Sequence, residues 1–334
     1  RQRDRHREML TAVANEAFRD FVRHVAQVYM PLRRAVHALA TIDVLTSLAR
    51  VASRPGYVRP HVHDQGNSIQ LRQCRHPVTE ARTNGYIPND IALGSLKQTE
   101  APRGMLLTGS NMGGKSSMMR AIALTVIMAQ IGSFVPCQSA EITCRDAIAS
   151  RMGARDDILR GESTFLVEAR ETAFILRTST PRTLVLLDEF GRGTSTFDGM
   201  ALAYAVLRSF LERGPAMPTL LFITHYAPLT RLAHLFPQQL MNVHMQVQIM
   251  RHQGKEDEVV FLHRVLPGAA SRSFGIHAAA LSGIPTTIIE RAKIKALELE
   301  EAERLVHYAH VVKLLGQGDA EAALESIQSI TLEA

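Results

Sequence analysis

The chain has 334 residues, 46% of them hydrophobic and 21% charged, with a formal net charge of +6 at pH 7. That is the size of two domains, or of one large domain with an appendage, and an ordinary globular composition. No apolar run reaches the length that spans a bilayer: the longest, 121–131, is too short and holds Thr125 and Gln130. Cys74, Cys137 and Cys144 are odd in number and lack metal-ligand spacing, so they read as reduced thiols of an intracellular protein. The positive charge permits an anionic partner such as DNA without requiring one, because the basic residues are spread along the chain. The first residue is Arg1 and no signal-peptide pattern follows, so a piece of a longer protein is expected.

In chain order, residues 1–53 space their apolar side chains helically (Leu10, Val13, Ala17, Phe21, then Leu32, Val36, Leu39, Ile42, Leu45, Leu48). The pattern predicts two helices broken near Pro31, since proline disrupts a helix interior. Residues 54–104 are punctuated by Pro55, Gly56, Pro60, Gly66, Pro77, Gly85, Pro88 and Pro102, which predicts short strands and loops. Residues 105–282 then alternate helix-like and strand-like segments, with strands expected at 105–108, 184–187, 220–224 and 259–265. That alternation predicts an α/β layer architecture. From Ile284 the chain is helical and charged, the charges forming a solvated face.

Four stretches carry chemistry. Gly109-Ser110-Asn111-Met112-Gly113-Gly114-Lys115-Ser116 fits the G-x-x-x-x-G-K-[ST] phosphate-binding pattern, after a short apolar run and before a proline-free helical segment. Glycines let backbone N–H groups turn around phosphate oxygens. Lys115 would meet the β/γ-phosphates, and the Ser116 hydroxyl would ligate Mg²⁺. Leu184-Val185-Leu186-Leu187-Asp188-Glu189 reads as a central strand ending in two acids. Asp188 suits Mg²⁺ and Glu189 suits the attacking water, although a strand can end in acids by chance. In Gly161-Glu162-Ser163-Thr164-Phe165, Ser163 is either a helix cap or a second phosphate-contacting edge. His225 closes the apolar run 220–224 and is either a structural hydrogen-bonding group or a sensor of the γ-phosphate.

The order of these elements resembles that of ATP-binding-cassette ATPases, where the serine of one subunit completes the ATP site of the other. More closely, the chain resembles MutS-type DNA mismatch-repair ATPases. The resemblance rests on the phosphate loop with Thr108, on 161–165, and on Asp188-Glu189-Phe190-Gly191-Arg192-Gly193-Thr194-Ser195-Thr196. It rests also on Thr224-His225-Tyr226, Gly268-Ala269-Ala270-Ser271-Arg272-Ser273-Phe274-Gly275-Ile276, Arg75-His76-Pro77 and Tyr86-Ile87-Pro88-Asn89. Within the family, 114–117, 128–133 and Ala203-Tyr204-Ala205 are most similar to the third eukaryotic MutS homologue.

The resemblance implies an α/β, ABC-type P-loop ATPase domain over 54–267. Before it would come the end of helical levers at 1–53, and after it a helix-turn-helix dimerisation region and charged tail at 268–334. It implies an ATPase that uses ATP and Mg²⁺. Lys115, Glu189 and His225 would be catalytic. Gly109, Ser110, Asn111, Met112, Gly113, Gly114, Lys115, Ser116 and Ser117 would hold the nucleotide, with Ser116 and Asp188 on the metal. Ser163 would reach the partner subunit's ATP. Tyr86 and His263 would flank the adenine, a role their rings suit, though such rings also simply pack. Implied partners are a second MutS homologue, mismatched or looped double-stranded DNA through domains not found in this sequence, and a MutL-type protein. The implied compartment is the nucleus, with no membrane. Two departures stand out: Ser110 where the family has proline, and Phe190 where Ile or Leu is usual. The alternatives are a meiotic-type MutS clamp acting as a recombination scaffold and another cassette ATPase of chromosome maintenance. The latter would carry a Leu-Ser-Gly-Gly-type signature, which 161–165 lacks.

Overall fold

A computed structural model of the chain describes residues 1–83, 85–95, 101–153, 163–250, 258–270 and 274–317. The chain opens with one helix, α1, Gln2–Ala52, 51 residues long with Pro31 inside it. This corrects the expected break. Proline removes one backbone donor, but its fixed φ is itself helical, and the loss is local within many turns of good helix formers. None of α1 is buried, so the apolar stripe that includes Leu10, Val13, Phe21 and Leu39 is uncovered by the described residues. The helix also holds an 18-residue window of mean hydropathy 1.3, enough by length and composition alone to cross a membrane. That corrects the reading that no segment qualifies, which counted uninterrupted apolar runs.

Strands β1 (His61–His63), β2 (Ile69–Cys74), β3 (Asn89–Leu93) and, later in the chain, β5 (Ser139–Thr143) form a four-stranded sheet in the order β1-β5-β2-β3. Strand β4 (Gly104–Thr108) starts the second sheet. It joins β6 (Ile148–Arg151), β7 (Leu184–Asp188), β8 (Thr219–Ile223), β9 (Leu240–Met250) and β10 (Glu258–Pro267) in the six-stranded order β10-β9-β4-β8-β7-β6. From β9 to β6 every pairing is parallel, and only β10 runs antiparallel to its neighbour.

Helix α2, Lys115–Gln130, lies between the sheets. Met118, Ile122 and Val126 meet Ile69, Leu71 and Ile91 of the smaller sheet and Met105, Leu107, Leu184, Leu186, Leu221 and Ile223 of the larger one. The alternate residues Leu106, Val185, Leu187, Leu220 and Phe222 face the other way. They pack against Ile175 of α3 (Thr164–Thr178) and Ala203, Leu207 and Phe210 of α4 (Thr196–Leu211). Strands buried on both faces are why these segments read as continuous apolar runs. Gly132, at φ +84, ends α2 in a left-handed turn that an L-side chain resists.

A short helix α5, Leu232–Leu235, precedes β9. After β10 come α6 (Gly275–Leu281) and α7 (Thr286–Gly316), which contact each other across a four-residue turn. Of the charges of α7, Glu290, Arg291, Lys293, Lys295, Glu298 and Glu301 are exposed, with Lys293 paired to Glu290 and Lys295 to Glu298. Residues 318–334 of the expected tail lie outside the described residues.

Candidate functional site

The sheet register puts the C-terminal ends of β4, β7 and β8 at one level. Leu107 pairs with Ile223, and Asp188 pairs with Ile223 from the other side. The ladder continues one step through Glu189 N–H to Ile223 O at 3.0 Å and Thr224 N–H to Leu107 O at 3.1 Å. This is the edge of an open α/β sheet where ligands bind.

From β4 the chain enters the loop 109–114, with φ +126 at Gly109, +45 at Met112 and +95 at Gly114, and α2 starts at Lys115. Gly114 is doubly required: its φ is left-handed, and a Cβ there would lie 3.1 Å from His263 Nδ1. Lys115 is buried. Its Nζ donates to Gly109 O at 2.6 Å and Ser110 O at 2.9 Å, and lies 3.8 Å from Glu189 Oε1. Burial lowers the lysine pKa against the opposing pull of the Glu189 and Asp188 charges.

At the end of β7, burial raises the pKa of Asp188. A hydrogen bond from the Ser116 hydroxyl works against that shift, and the neighbouring Glu189 charge adds to it. Asp188 Oδ1 is buried with no hydrogen-bond partner among the described residues, as is Ser110 Oγ. Glu189 sits at φ +55, in the left-handed region. Burial pushes its pKa up, but hydrogen bonds and charge from His225 and Arg192 outweigh that and bring it to about 2. His225 Nε2 holds Glu189 Oε1, and Arg192 Nη1 holds Oε2. Glu189, Arg192, His225, Asn111, Thr194, Thr196, Thr224 and Tyr226 line an open cleft of about 320 Å³.

Both candidate base-stacking residues come to the first turn of α2. Tyr86 has its pKa raised, chiefly by burial, against hydrogen bonds to the Ser117 side chain and the His76 backbone. His263 sits at φ +53 where the β9–β10 register shifts, with Nδ1 3.0 Å from Gly113 O. Ser163 caps α3: its hydroxyl accepts the Leu166 N–H at 3.2 Å. It is exposed, and no hydrogen bond among the described residues joins it to the loop 109–114. Gly161, Glu162 and Ser271, Arg272 and Ser273 of the quoted motifs lie outside the described residues.

Arg192 and Asn89 were not singled out in the sequence. Arg192 pairs with Glu189 three positions away, a spacing that lay in plain view within 188–196. Asn89 donates to His263 O at 3.0 Å and accepts from Val265 N at 2.7 Å, so it pins the strained bulge that carries His263. Only its place in the quoted stretch Tyr86-Ile87-Pro88-Asn89 hinted at it.

The donors fit a hard divalent cation. Ser116 and Asp188 offer a hydroxyl and a carboxylate side by side, and one buried carboxylate oxygen lacks a partner. Among the described residues no group of three or more His, Cys, Asp or Glu could hold a metal. That fits Mg²⁺, which binds through one or two carboxylates plus substrate phosphates better than in an all-protein cage. The loop 109–114, opening onto a helix N-terminus with a buried lysine, is suited to an anion of phosphate size.

The chain belongs to the MutS family: residues 105–300 match the family model of MutS domain V. It is similar to the DNA mismatch repair protein msh3 of Aspergillus niger, 48% identical over 319 residues, which covers 95% of this chain and 28% of that protein. The msh3 protein of Aspergillus fumigatus is 48% identical over 318 residues, with 95% and 28% covered. MSH3 of Phaeosphaeria nodorum is 45% identical over 330 residues, 98% of this chain and 29% of that protein. The likeness to the third eukaryotic MutS homologue therefore stands, and the chain spans about 28% of the length of the curated relatives it matches.

Proposed function

We propose that this chain is the ATP-binding and hydrolysing, dimer-forming part of a MutS homologue that acts in DNA mismatch repair. The observation that carries the reading is the meeting of Lys115, Ser116, Asp188 and Glu189 at one sheet edge, beneath a glycine-rich loop. In this reading the domain is an ABC-type P-loop ATPase over 54–267, flanked by lever helix 1–53 and by a dimerisation helix-turn-helix in 268–334. The uncovered stripe of α1 and the contact of α6 with α7 support those flanks.

Lys115 exchanges its bonds to Gly109 O and Ser110 O for phosphate oxygens. Ser116 and Asp188 hold Mg²⁺, which when bound neutralises charge that develops on the phosphates. Glu189 acts on the attacking water. At a pKa of about 2 it takes up a proton poorly, so orienting the water is the role its chemistry supports best. His225 and Arg192 hold that carboxylate in place. The loop 109–117 binds the phosphates, Tyr86 and His263 flank the adenine, and Ser163 completes the ATP site of a second MutS-type subunit. In a nuclear repair protein, hydrolysis would then be coupled to recognition of mismatched or looped DNA and to a MutL-type partner, through regions that the relatives have beyond this chain's span. Relatives named msh3 favour repair over a recombination scaffold.

The test is Glu189→Gln. ATP binding is expected to persist while hydrolysis falls by about 10²-fold or more, the scale of losing a positioned acid–base group. Unchanged turnover would remove Glu189 from the chemistry and with it the proposed assignment of the site.

A further inference from the structure

The turn that follows Glu189 is gripped from several sides. Gly191 has φ +95, and a Cβ there would come within 2.5 Å of the Gly199 carbonyl oxygen, so this turn meets α4 backbone against backbone. The Gly191 N–H donates to Glu168 Oε1 at 3.3 Å, and the Gly191 carbonyl accepts from the Tyr226 hydroxyl at 3.0 Å. Gly193 rests on α3, where a Cβ would come within 3.0 Å of Phe165 Cβ. Glu168 is only 5% exposed and lies on α3, the helix capped by Ser163. Tyr226 directly follows His225. Burying a carboxylate is costly unless its bonds are used, and an apolar residue would fill the space at lower cost. The Arg151 charge offsets part of that cost, and the bond to the Gly191 N–H is what directs the carboxylate at the turn.

We infer that Glu168 is a positioning residue for hydrolysis: it holds the Gly191 amide, fixes the turn that carries Glu189 and Arg192, and ties that turn to the helix that begins at Ser163. The inference rests on the proposed role of Glu189. Its consequence is a mechanical link. A shift of the Ser163 end of α3, as when a second subunit engages it, reaches Glu189 through Phe165 and Glu168 without any change in the loop 109–114.

The experiment measures kcat and KM for ATP in the protein complexed with its second MutS-type subunit, for wild type, Glu168→Leu, Glu168→Gln, Tyr226→Phe and Glu189→Gln. Glu168→Leu is expected to lower kcat by about 10²-fold, the scale of an ångström's misplacement of a reacting group. KM should stay within about threefold, because the phosphate-holding residues are untouched. Glu168→Gln keeps an oxygen that accepts the Gly191 N–H and should retain kcat within about threefold, since the bond is kept in neutral form. Tyr226→Phe releases the same turn from its other side and should lower kcat by a smaller factor at constant KM. Unchanged kcat in Glu168→Leu overturns the inference, and so does a Glu168→Gln as slow as Glu168→Leu, or a loss confined to KM. Should Glu168→Leu fail to fold, an unchanged kcat in Tyr226→Phe overturns it equally. Wild-type turnover by Glu189→Gln would instead defeat the reading of Glu189 itself. An inactive Glu189→Gln beside a fully active Glu168→Leu defeats only the link.

Discussion

The floor and the rim of the cleft are built on opposite principles. The floor, made of the loop 109–114, Lys115, Ser116 and Asp188, is incomplete; Ser110, Gly113 and Lys115 are buried, Ser116 and Asp188 half-buried, and the loop's Asn111 and Met112 exposed. Its lysine is bonded to its own loop's carbonyls, and one Asp188 oxygen has no partner among the described residues. The rim is partly open and satisfies itself, since both Glu189 oxygens are taken by His225 and Arg192. A buried polar group without a partner is costly, so the floor has the form of a surface that a ligand finishes. The rim is finished already, which suits groups that must be held still while something else reacts. Ligand affinity should therefore reside in the floor and rate in the rim.

The largest effect that could break this contrast is on nucleotide affinity. Lys115→Ala removes the one buried cation of the floor and should weaken ATP binding by about 10²-fold or more, on the scale of a charged hydrogen bond in a desolvated site. Equilibrium binding of a fluorescent ATP analogue measures it, and Arg192→Ala is the comparison, expected to change affinity far less. Equal losses from both would erase the division of labour.

Next in size is Gly114→Ala, expected to lower stability by about 1–3 kcal/mol, as for a non-glycine residue forced into a left-handed conformation against a close neighbour. Gly132→Ala is the control, with φ +84 and nothing within 4 Å of its would-be Cβ. Urea midpoints at constant m-value report both. A Gly114→Ala no worse than Gly132→Ala would mean that His263 yields freely and does not brace the floor.

The same contrast explains what could be read from the sequence. The floor was legible because its requirements are local: glycines where φ is positive, and apolar runs where a strand is buried on both faces. Strand β7 and its terminal acids were legible for the same reason. The distant supports of floor and rim were not. Behind the floor, Asn89 meets His263 and Val265 across more than 170 positions, and behind the rim Glu168 meets Gly191 across 23. Pairings of that kind leave no periodicity. Pro31 failed as a signal for the converse reason. Its penalty is local, and a long helix absorbs it. The spacing of apolar residues in α1 gave the helix correctly, but spacing does not say what covers the stripe.

The smallest expected effect is also the sharpest, because it differs in sign between floor and rim. Glu189 has a folded pKa lowered from 4.5 to about 2, so its contribution to stability is fully present above about pH 4.5 and is lost as the pH falls toward 2. Asp188 has its pKa raised from 3.8, mainly by burial, so its charge opposes folding near neutrality, and acidification through the raised value relieves that opposition. At pH 7, Glu189→Gln should therefore lower the urea midpoint and Asp188→Asn should raise it. Each change is worth roughly 1 kcal/mol or less, the scale of partly solvated ion pairs. Both differences should shrink as the pH drops, that of Asp188→Asn first, because the pKa of Asp188 is the higher of the two. If the two variants moved the midpoint in the same direction, Asp188 would not be the uncompensated charge and Glu189 the compensated one, and the distinction between floor and rim would not hold.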